Sequence, residues 1–190
     1  IMSSDWSSDV CSSDLGDRAF HDWYRFVLSY PPHLVRHYFH QFGLTERATI
    51  LDPFCGTGTT IVEAKKNGLA SVGIEAVPMS QFACRTKVQW AVDLSAVAAA
   101  QQQVATLAAS QMAATPSLHF TPEQQAIVVK NSISDRPLHQ CLVLQRAIAT
   151  ITDPPIRDLL NLALADVAVH EASNLKFGPE VGIRRRKREE

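Results

Sequence analysis

The chain has 190 residues, of which 46% are hydrophobic, and its formal net charge is −1. This length is enough for one ordinary domain, or for a small domain with an extension, and the apolar content is normal for a globular protein. No run of about 18 apolar residues occurs, so the sequence predicts no membrane span. The four cysteines form no Cys-x-x-Cys pair, which argues against a zinc site or a disulfide framework and favours a reducing cytoplasm.

Residues 1–15 look foreign to the rest of the chain. The tripeptide Ser-Ser-Asp begins at Ser3, Ser7 and Ser12, and the stretch resembles the translation of a sequencing adapter. It lacks the apolar residues of a core, so we expect disorder and exclude it from the predicted fold. Without its three acidic residues the net charge becomes +2, which is compatible with nucleic-acid binding. The adapter interpretation also predicts that the gene is cut upstream and that native sequence begins near Gly16.

An aromatic-rich stretch, 20–29, leads into Tyr30, Pro31 and Pro32. Apolar residues at helical spacing follow, which predicts a helix that ends at Gly43. Three histidines fall on the polar side of this helix, namely His33, His37 and His40. Histidines at i and i+4 can bind a metal ion, but no further ligand accompanies them, so no metal site is predicted.

Residues 50–60 are the most informative stretch, with the sequence Ile-Leu-Asp-Pro-Phe-Cys-Gly-Thr-Gly-Thr-Thr. The β-branched and apolar residues 49–51 predict a short buried strand. It should end near Asp52, because Pro53 cannot donate to a strand ladder. Gly56 and Gly58 permit positive φ angles and a close approach of the backbone to a ligand.

A helix and a second strand are predicted after this loop. Thr59 or Thr60 can cap the helix, and Gly68 can end it. Its inward residues are Ile61, Val62 and Ala64. The second strand covers residues 70–75 and ends on Glu75. In a dinucleotide-binding β-α-β unit, an acidic residue about 20 positions after the glycines binds ribose hydroxyls.

The string Asp-Pro-Phe-Cys-Gly-Thr-Gly-Thr resembles the S-adenosyl-L-methionine motif of amino-methyltransferases. The resemblance is strongest to DNA methyltransferases that modify the exocyclic amino groups of adenine or cytosine. It implies a Rossmann-like α/β sheet and S-adenosyl-L-methionine as cofactor. The implied cofactor contacts are Asp52, Pro53, Phe54, Cys55, Gly56, Thr57, Gly58, Thr59 and Glu75. Tyr30 and Pro31 are implied neighbours at the methionine end.

Other interpretations of the loop are weaker. A nicotinamide site usually has Gly-x-Gly-x-x-Gly, and Ile61 stands at the third glycine position. No phosphate-loop string with Lys-Ser/Thr occurs. Cys55 has no neighbouring base in the sequence, so we interpret it as a small packing residue rather than a nucleophile. A plain strand-turn-helix with a Gly-rich corner is the remaining alternative.

The rest of the chain predicts a mostly helical region. Helices are predicted over 79–92, 94–114, 136–150 and 154–173. We therefore divide the chain into the adapter-like stretch, a cofactor-binding β-α-β unit with its preceding helix over 16–92, a helical region over 93–175 and a basic tail over 176–190. The sequence predicts only two strands, whereas the resembled methyltransferase fold has about seven. The basic run near the end predicts either contacts with phosphates or a solvated surface. It also suggests that the chain is truncated downstream.

The resembled enzymes use Asp/Asn/Ser-Pro-Pro-aromatic to bind the target amino group and stack on the flipped base. The nearest string here is Asp153-Pro154-Pro155-Ile156, which lacks the aromatic residue. Asp followed by Pro is also expected at the start of a helix. We therefore predict no catalytic residue in this chain, Asp153 being a weak candidate, and expect the fragment alone to be inactive.

Three functions stay open from the sequence. The first is the cofactor-binding part of a DNA methyltransferase. The second is an RNA methyltransferase acting on a guanine amino group, because such enzymes carry nearly the same loop. The third is a non-catalytic helical interaction module. The predicted partner is nucleic acid, with DNA favoured, and the oligomeric state is not predicted.

Overall fold

A computed structural model describes residues 17–25, 29–114, 116–177 and 181–184. Its contacts divide the chain into two compact units, unit 1 over Ile1–Trp90 and unit 2 over Ala91–Glu190. The predicted disorder of residues 1–15 lies outside the described residues, as does most of the predicted basic tail. The described helices include none with the length and apolarity of a membrane span. The described residues show a mixed α/β protein.

Unit 1 is built around two parallel strands. Its elements are α1 (Arg18–His21), α2 (Pro32–Gln41), β1 (Thr49–Asp52), α3 (Thr59–Lys66), β2 (Ala70–Gly73) and α4 (Pro78–Lys87). The strands pair in parallel, with Leu51 opposite Val72. The predicted order of helix, strand, loop, helix and strand is therefore confirmed. A parallel pair brings the carboxyl ends of both strands to one edge, where ligands of α/β proteins bind.

The two faces of this sheet differ. On one face α3 packs closely, since a Cβ added to Gly73 would lie 3.0 Å from Ile61 Cγ1. On the other face Leu51 and Val72 are 63% and 52% exposed, and Ile74 continues the same row. The prediction of a buried strand over 49–51 is therefore wrong. Apolar parallel strands normally have both faces covered, but among the described residues only one face is covered.

Three predicted boundaries in unit 1 are corrected. The second strand ends at Gly73, so Glu75 follows the strand instead of closing it. Neither Thr59 nor Thr60 caps α3, because Gly58 occupies the N-cap position in a left-handed conformation. The helix predicted over 79–92 ends at Lys87. There the Trp90 indole donates to the Lys87 carbonyl oxygen over 2.7 Å, which satisfies a last-turn acceptor from outside the helix.

Unit 2 is mostly helical, as predicted. Its elements are α5 (Leu94–Ala114), α6 (Pro122–Ile127), α7 (Asp135–Ile148), α8 (Pro154–Val167), a π-helical turn (Ala168–Ala172), β3 (Leu175–Lys176) and β4 (Gly182–Ile183). The bounds predicted for α5 are confirmed. The predicted helix over 154–173 changes to π-helical geometry after Val167. The sequence prediction missed α6, which a capping box between Thr121 and Gln124 begins, and the antiparallel pair of short strands.

The core of unit 2 lies between α5, α7 and α8. Its buried members are Ala100, Val104, Ala108, Val143, Ala147, Ile148, Ile151 and Ile156. Asp153 begins α8, and its Oδ1 accepts a hydrogen bond from the Ile156 amide over 3.1 Å. The helix-cap interpretation of Asp153 is therefore confirmed. Ile156 stands where the catalytic motif would have an aromatic residue. Its side chain is buried in this core, so it packs within unit 2.

Candidate functional site

The loop over residues 52–59 connects β1 to α3 and turns on two glycines. Gly56 and Gly58 have φ angles of +52° and +93°, in the left-handed region that glycine tolerates best. The Gly58 amide donates to the Cys55 carbonyl oxygen over 2.8 Å, and the Gly58 carbonyl oxygen accepts the Val62 amide over 2.9 Å. A Cβ at Gly58 would also lie 2.6 Å from Cys84 Sγ, whereas one at Gly56 would meet nothing within 4 Å. Gly58 is thus required by both backbone and packing.

Glu75 holds this loop against the end of β2. Its Oε2 accepts the Gly56 amide over 2.9 Å, and its Oε1 accepts the Val77 amide over 2.7 Å. Backbone bonds reinforce the junction, because the Cys55 amide donates to the Ile74 carbonyl oxygen over 3.0 Å. The structure therefore brings together the predicted loop and the predicted acidic residue. A carboxylate has about four lone-pair sites, so Glu75 retains acceptor capacity for a ligand.

Asp52 is held by groups on both sides. Its Oδ1 accepts the Phe54 amide over 3.1 Å, which tightens the turn after β1. Its Oδ2 accepts the Tyr30 hydroxyl over 3.2 Å. The same hydroxyl contacts Thr60 Oγ1 in α3. Burial, with the adjacent Asp52 charge, raises the pKa of Tyr30, so this hydroxyl stays protonated and can donate. Tyr30 therefore lies beside the loop, and Pro31 precedes the first residue of α2, while their place beside a cofactor stays a prediction.

The loop has an exposed apolar side chain and two buried hydroxyl side chains. The Phe54 side chain is 86% exposed, and Val77, close to Glu75, is also exposed. Thr57 and Thr59 are buried. They line a cavity together with Ser29, Tyr30, Arg25 and Lys87. The loop therefore contributes an exposed aromatic ring to the surface and two hydroxyl groups to the cavity.

Cys55 packs under the loop against a second cysteine. Its Sγ lies 4.0 Å from Cys84 Sγ in α4, and both residues are buried. Burial raises the pKa of both thiols, that of Cys84 to about 12. A neutral thiol is a poor nucleophile, which supports the predicted packing role of Cys55 in its reduced state.

A buried ion cluster behind the loop was not predicted. Glu63 in α3 is fully buried and accepts hydrogen bonds from His21 Nε2 over 2.8 Å, Arg36 Nη1 over 2.9 Å and Lys66 Nζ over 2.8 Å. Arg36 also donates to Asp17. Burial raises the pKa of Glu63, but these hydrogen bonds outweigh it and lower the pKa from 4.5 to about 2. Only the Glu63–Lys66 spacing of i,i+3 signals part of this cluster in the sequence.

The histidines of α2 are not gathered into a metal site. Within the described ranges, no group of three or more His, Cys, Asp or Glu side chains is placed to hold a metal ion. His37 instead packs edge-on against the Tyr38 ring, with 5.6 Å between the ring centroids.

Comparison with known proteins agrees with the geometry of the loop. Residues 20–80 match the sequence profile of the DNA methylase family. A stretch of 71 residues is 39% identical to the Type II methyltransferase M.BsoBI of Geobacillus stearothermophilus. The predicted resemblance to DNA methyltransferases is therefore confirmed.

The region that matches the family profile holds β1, the 52–59 loop, α3, β2 and Glu75. The alignment with M.BsoBI covers 37% of this chain and 14% of that methyltransferase, so the chain matches a small part of its relative. No solved structure gives a significant match.

Proposed function

We propose that this chain binds S-adenosyl-L-methionine through the 52–59 loop and Glu75. In this proposal it is the cofactor-binding part of a DNA methyltransferase that acts on exocyclic amino groups of adenine or cytosine. The observation that carries the proposal is the hydrogen bond between the Gly56 amide and Glu75. It joins the Gly-rich loop to an acidic residue at the carboxyl edge of two parallel strands, the place where α/β proteins bind nucleotide-like ligands.

The residues present fit the chemistry of this cofactor. Glu75 offers carboxylate acceptors for ribose hydroxyls, and Asp52 offers an acceptor for an ammonium group. The exposed Phe54 and Val77 offer apolar surface for an adenine ring. The positive φ angles at the two glycines let the backbone come close to a ligand. When bound, S-adenosyl-L-methionine supplies an electrophilic methyl group on a sulfonium.

The comparisons favour DNA over RNA as the substrate of the whole enzyme. The matching family is described as DNA methylase, and its match includes the loop. The similar relative is a Type II methyltransferase. The target amino group would need a polar acceptor and a stacking surface. Asp153 is engaged as a helix cap in unit 2, so we assign that chemistry to no residue described here.

Calorimetric titration with S-adenosylhomocysteine, the demethylated form of the cofactor, tests the proposal. We expect Glu75→Ala to weaken binding by about 10- to 100-fold, because a hydrogen bond to a charged group contributes about 1.5–3 kcal/mol. Glu46→Ala removes an exposed carboxylate from the same unit and should leave the affinity unchanged. A wild-type chain that binds neither S-adenosylmethionine nor S-adenosylhomocysteine would refute the proposed function.

A second ligand separates direct contact from support of the loop. An S-adenosylhomocysteine analogue without ribose hydroxyls should bind the wild type more weakly, and Glu75→Ala should then cause little further loss. If Glu75→Ala weakens both ligands equally, Glu75 acts only by holding Gly56 and Val77, and the ribose contact is wrong.

A further inference from the structure

Two thiols face each other between the loop and α4. Cys55 and Cys84 are 6% and 8% exposed, and their sulfur atoms are 4.0 Å apart. The backbone closes around both sulfurs. A Cβ at Gly58 would lie 2.6 Å from Cys84 Sγ, and one at Gly73 would lie 2.8 Å from Cys55 Sγ. The thiol pair is therefore packed under the backbone of the 52–59 loop and beside β2.

We propose that Cys55 and Cys84 are a modification site, a dithiol that a peroxide converts into a disulfide that weakens ligand binding at the loop. One thiolate attacks a peroxide oxygen, takes up that oxygen as a sulfenic acid, and a first water leaves after protonation. The second thiol attacks the sulfenic sulfur, the S–S bond forms, and a second water leaves. The two thiols lose two electrons and two protons, and hydrogen peroxide is reduced to two waters.

The disulfide forces the loop to move. A disulfide bond is about 2.05 Å long, so the two sulfurs must approach by about 2 Å. The close Gly58 and Gly73 backbone leaves little room for either sulfur to move alone. The approach therefore draws Cys55 toward α4 and displaces the adjacent Gly56 amide, which Glu75 holds at 2.9 Å. The effect on ligand binding rests on the proposed function, whereas formation of the disulfide does not.

The surroundings of the two thiols determine how fast they are oxidised. Burial raises the pKa of both thiols, and the negative charges of Asp52 and Glu75 raise that of Cys55 further. The neighbouring Cys55 also raises the pKa of Cys84, whereas the positive charge of Lys87 lowers it. Few thiolates are present at neutral pH, so oxidation is slow. Its rate should rise about tenfold for each unit by which the pH increases, as long as the pH stays below the thiol pKa. The dithiol would respond to sustained rather than brief exposure to peroxide.

The test treats the full chain with hydrogen peroxide, blocks the remaining thiols and maps the peptides. We expect a linked pair of peptides that contain Cys55 and Cys84 in the wild type and in Cys141→Ala, which removes the single cysteine of unit 2. Cys84→Ala should give no such link. Oxidised wild type should bind S-adenosylhomocysteine at least about tenfold more weakly, because the loop loses a charge-assisted bond, and dithiothreitol should restore the affinity.

Each outcome decides one part of the proposal. Unlinked Cys55 and Cys84 peptides, under conditions that oxidise Cys141, would overturn the dithiol. A linked protein with unchanged affinity would overturn its coupling to the loop, as would an equal loss of affinity in peroxide-treated Cys84→Ala. Tryptophan fluorescence checks that Cys84→Ala is folded, and Cys84→Ser replaces it if it is not. Reduced protein that binds no ligand refutes the proposed function, while the peptide map still decides whether the disulfide forms.

Discussion

The buried Glu63 carboxylate gives unit 1 a stability that depends on pH. Its pKa is about 2 in the folded chain, compared with an ordinary value of 4.5. Because the folded-state pKa is the lower one, folding favours the ionised form. This contribution is complete above pH 4.5 and is lost as the pH falls from 4.5 toward 2. A difference of about 2.5 in pKa corresponds to about 3 kcal/mol of unfolding free energy.

Glu63→Gln removes the charge and keeps nearly the same side-chain shape. We expect the variant to lose about 3 kcal/mol of unfolding free energy at pH 7, because three donors lose a buried anion. Its stability should also change less than that of the wild type between pH 4.5 and 2. Glu46→Gln is the matched control, since this exposed glutamate should change neither quantity by more than about 0.5 kcal/mol.

Urea titration followed by tryptophan fluorescence measures this effect in one unit. All three tryptophans, at positions 6, 23 and 90, belong to unit 1. Trp90 stacks on Phe20, with 4.5 Å between the ring centroids, so its emission should change when unit 1 unfolds. The electrostatic account of Glu63 is refuted if Glu63→Gln and wild type lose the same stability on acidification.

Further substitutions test the loop and the cap. Gly58→Ala should cost at least about 2 kcal/mol of unfolding free energy in the same fluorescence assay, because it adds left-handed strain and a contact with Cys84. Gly56→Ala should cost only about 1 kcal/mol, for strain alone, and equal losses would contradict the role assigned to the Cys84 contact. Asp153→Ala should lower the stability of unit 2 by about 1 kcal/mol, measured by far-ultraviolet circular dichroism, and leave the tryptophan transition unchanged. Asp153→Asn keeps a capping oxygen and should unfold like wild type, so a similar loss in both variants would argue against the cap.

Local patterns in the sequence predicted the loop and the longest helix well. Pro53 ended β1, the two glycines set the turn, and the helical stripe around Val104 gave the correct bounds of α5. Each of these signals acts within a few residues of the structure that it specifies. Glu75 was expected to close the second strand and instead follows it, but it does reach the loop, because one strand and one helix fix the distance between them.

The missed features depend on residues distant in sequence. Glu63 lies 42 positions from His21, and nothing in the helical pattern of α3 shows that it is buried with three hydrogen-bond donors. The end of α4 depends on Trp90, whose indole N–H donates a hydrogen bond to the Lys87 carbonyl oxygen in the last turn. The burial of β1 was overestimated. An apolar residue such as Leu51 suggests that another element covers the strand, but it does not show which element does so.

The two carboxylates at the loop have a consequence for how a ligand would bind. Asp52 and Glu75 fix the amides of Phe54, Gly56 and Val77 before any ligand arrives. Binding would then require little loss of backbone entropy, and more of the contact energy would appear as affinity. The same bonds should slow hydrogen exchange of these amides in the free protein. Under the proposed function, folding alone would thus give the loop the shape that its ligand requires.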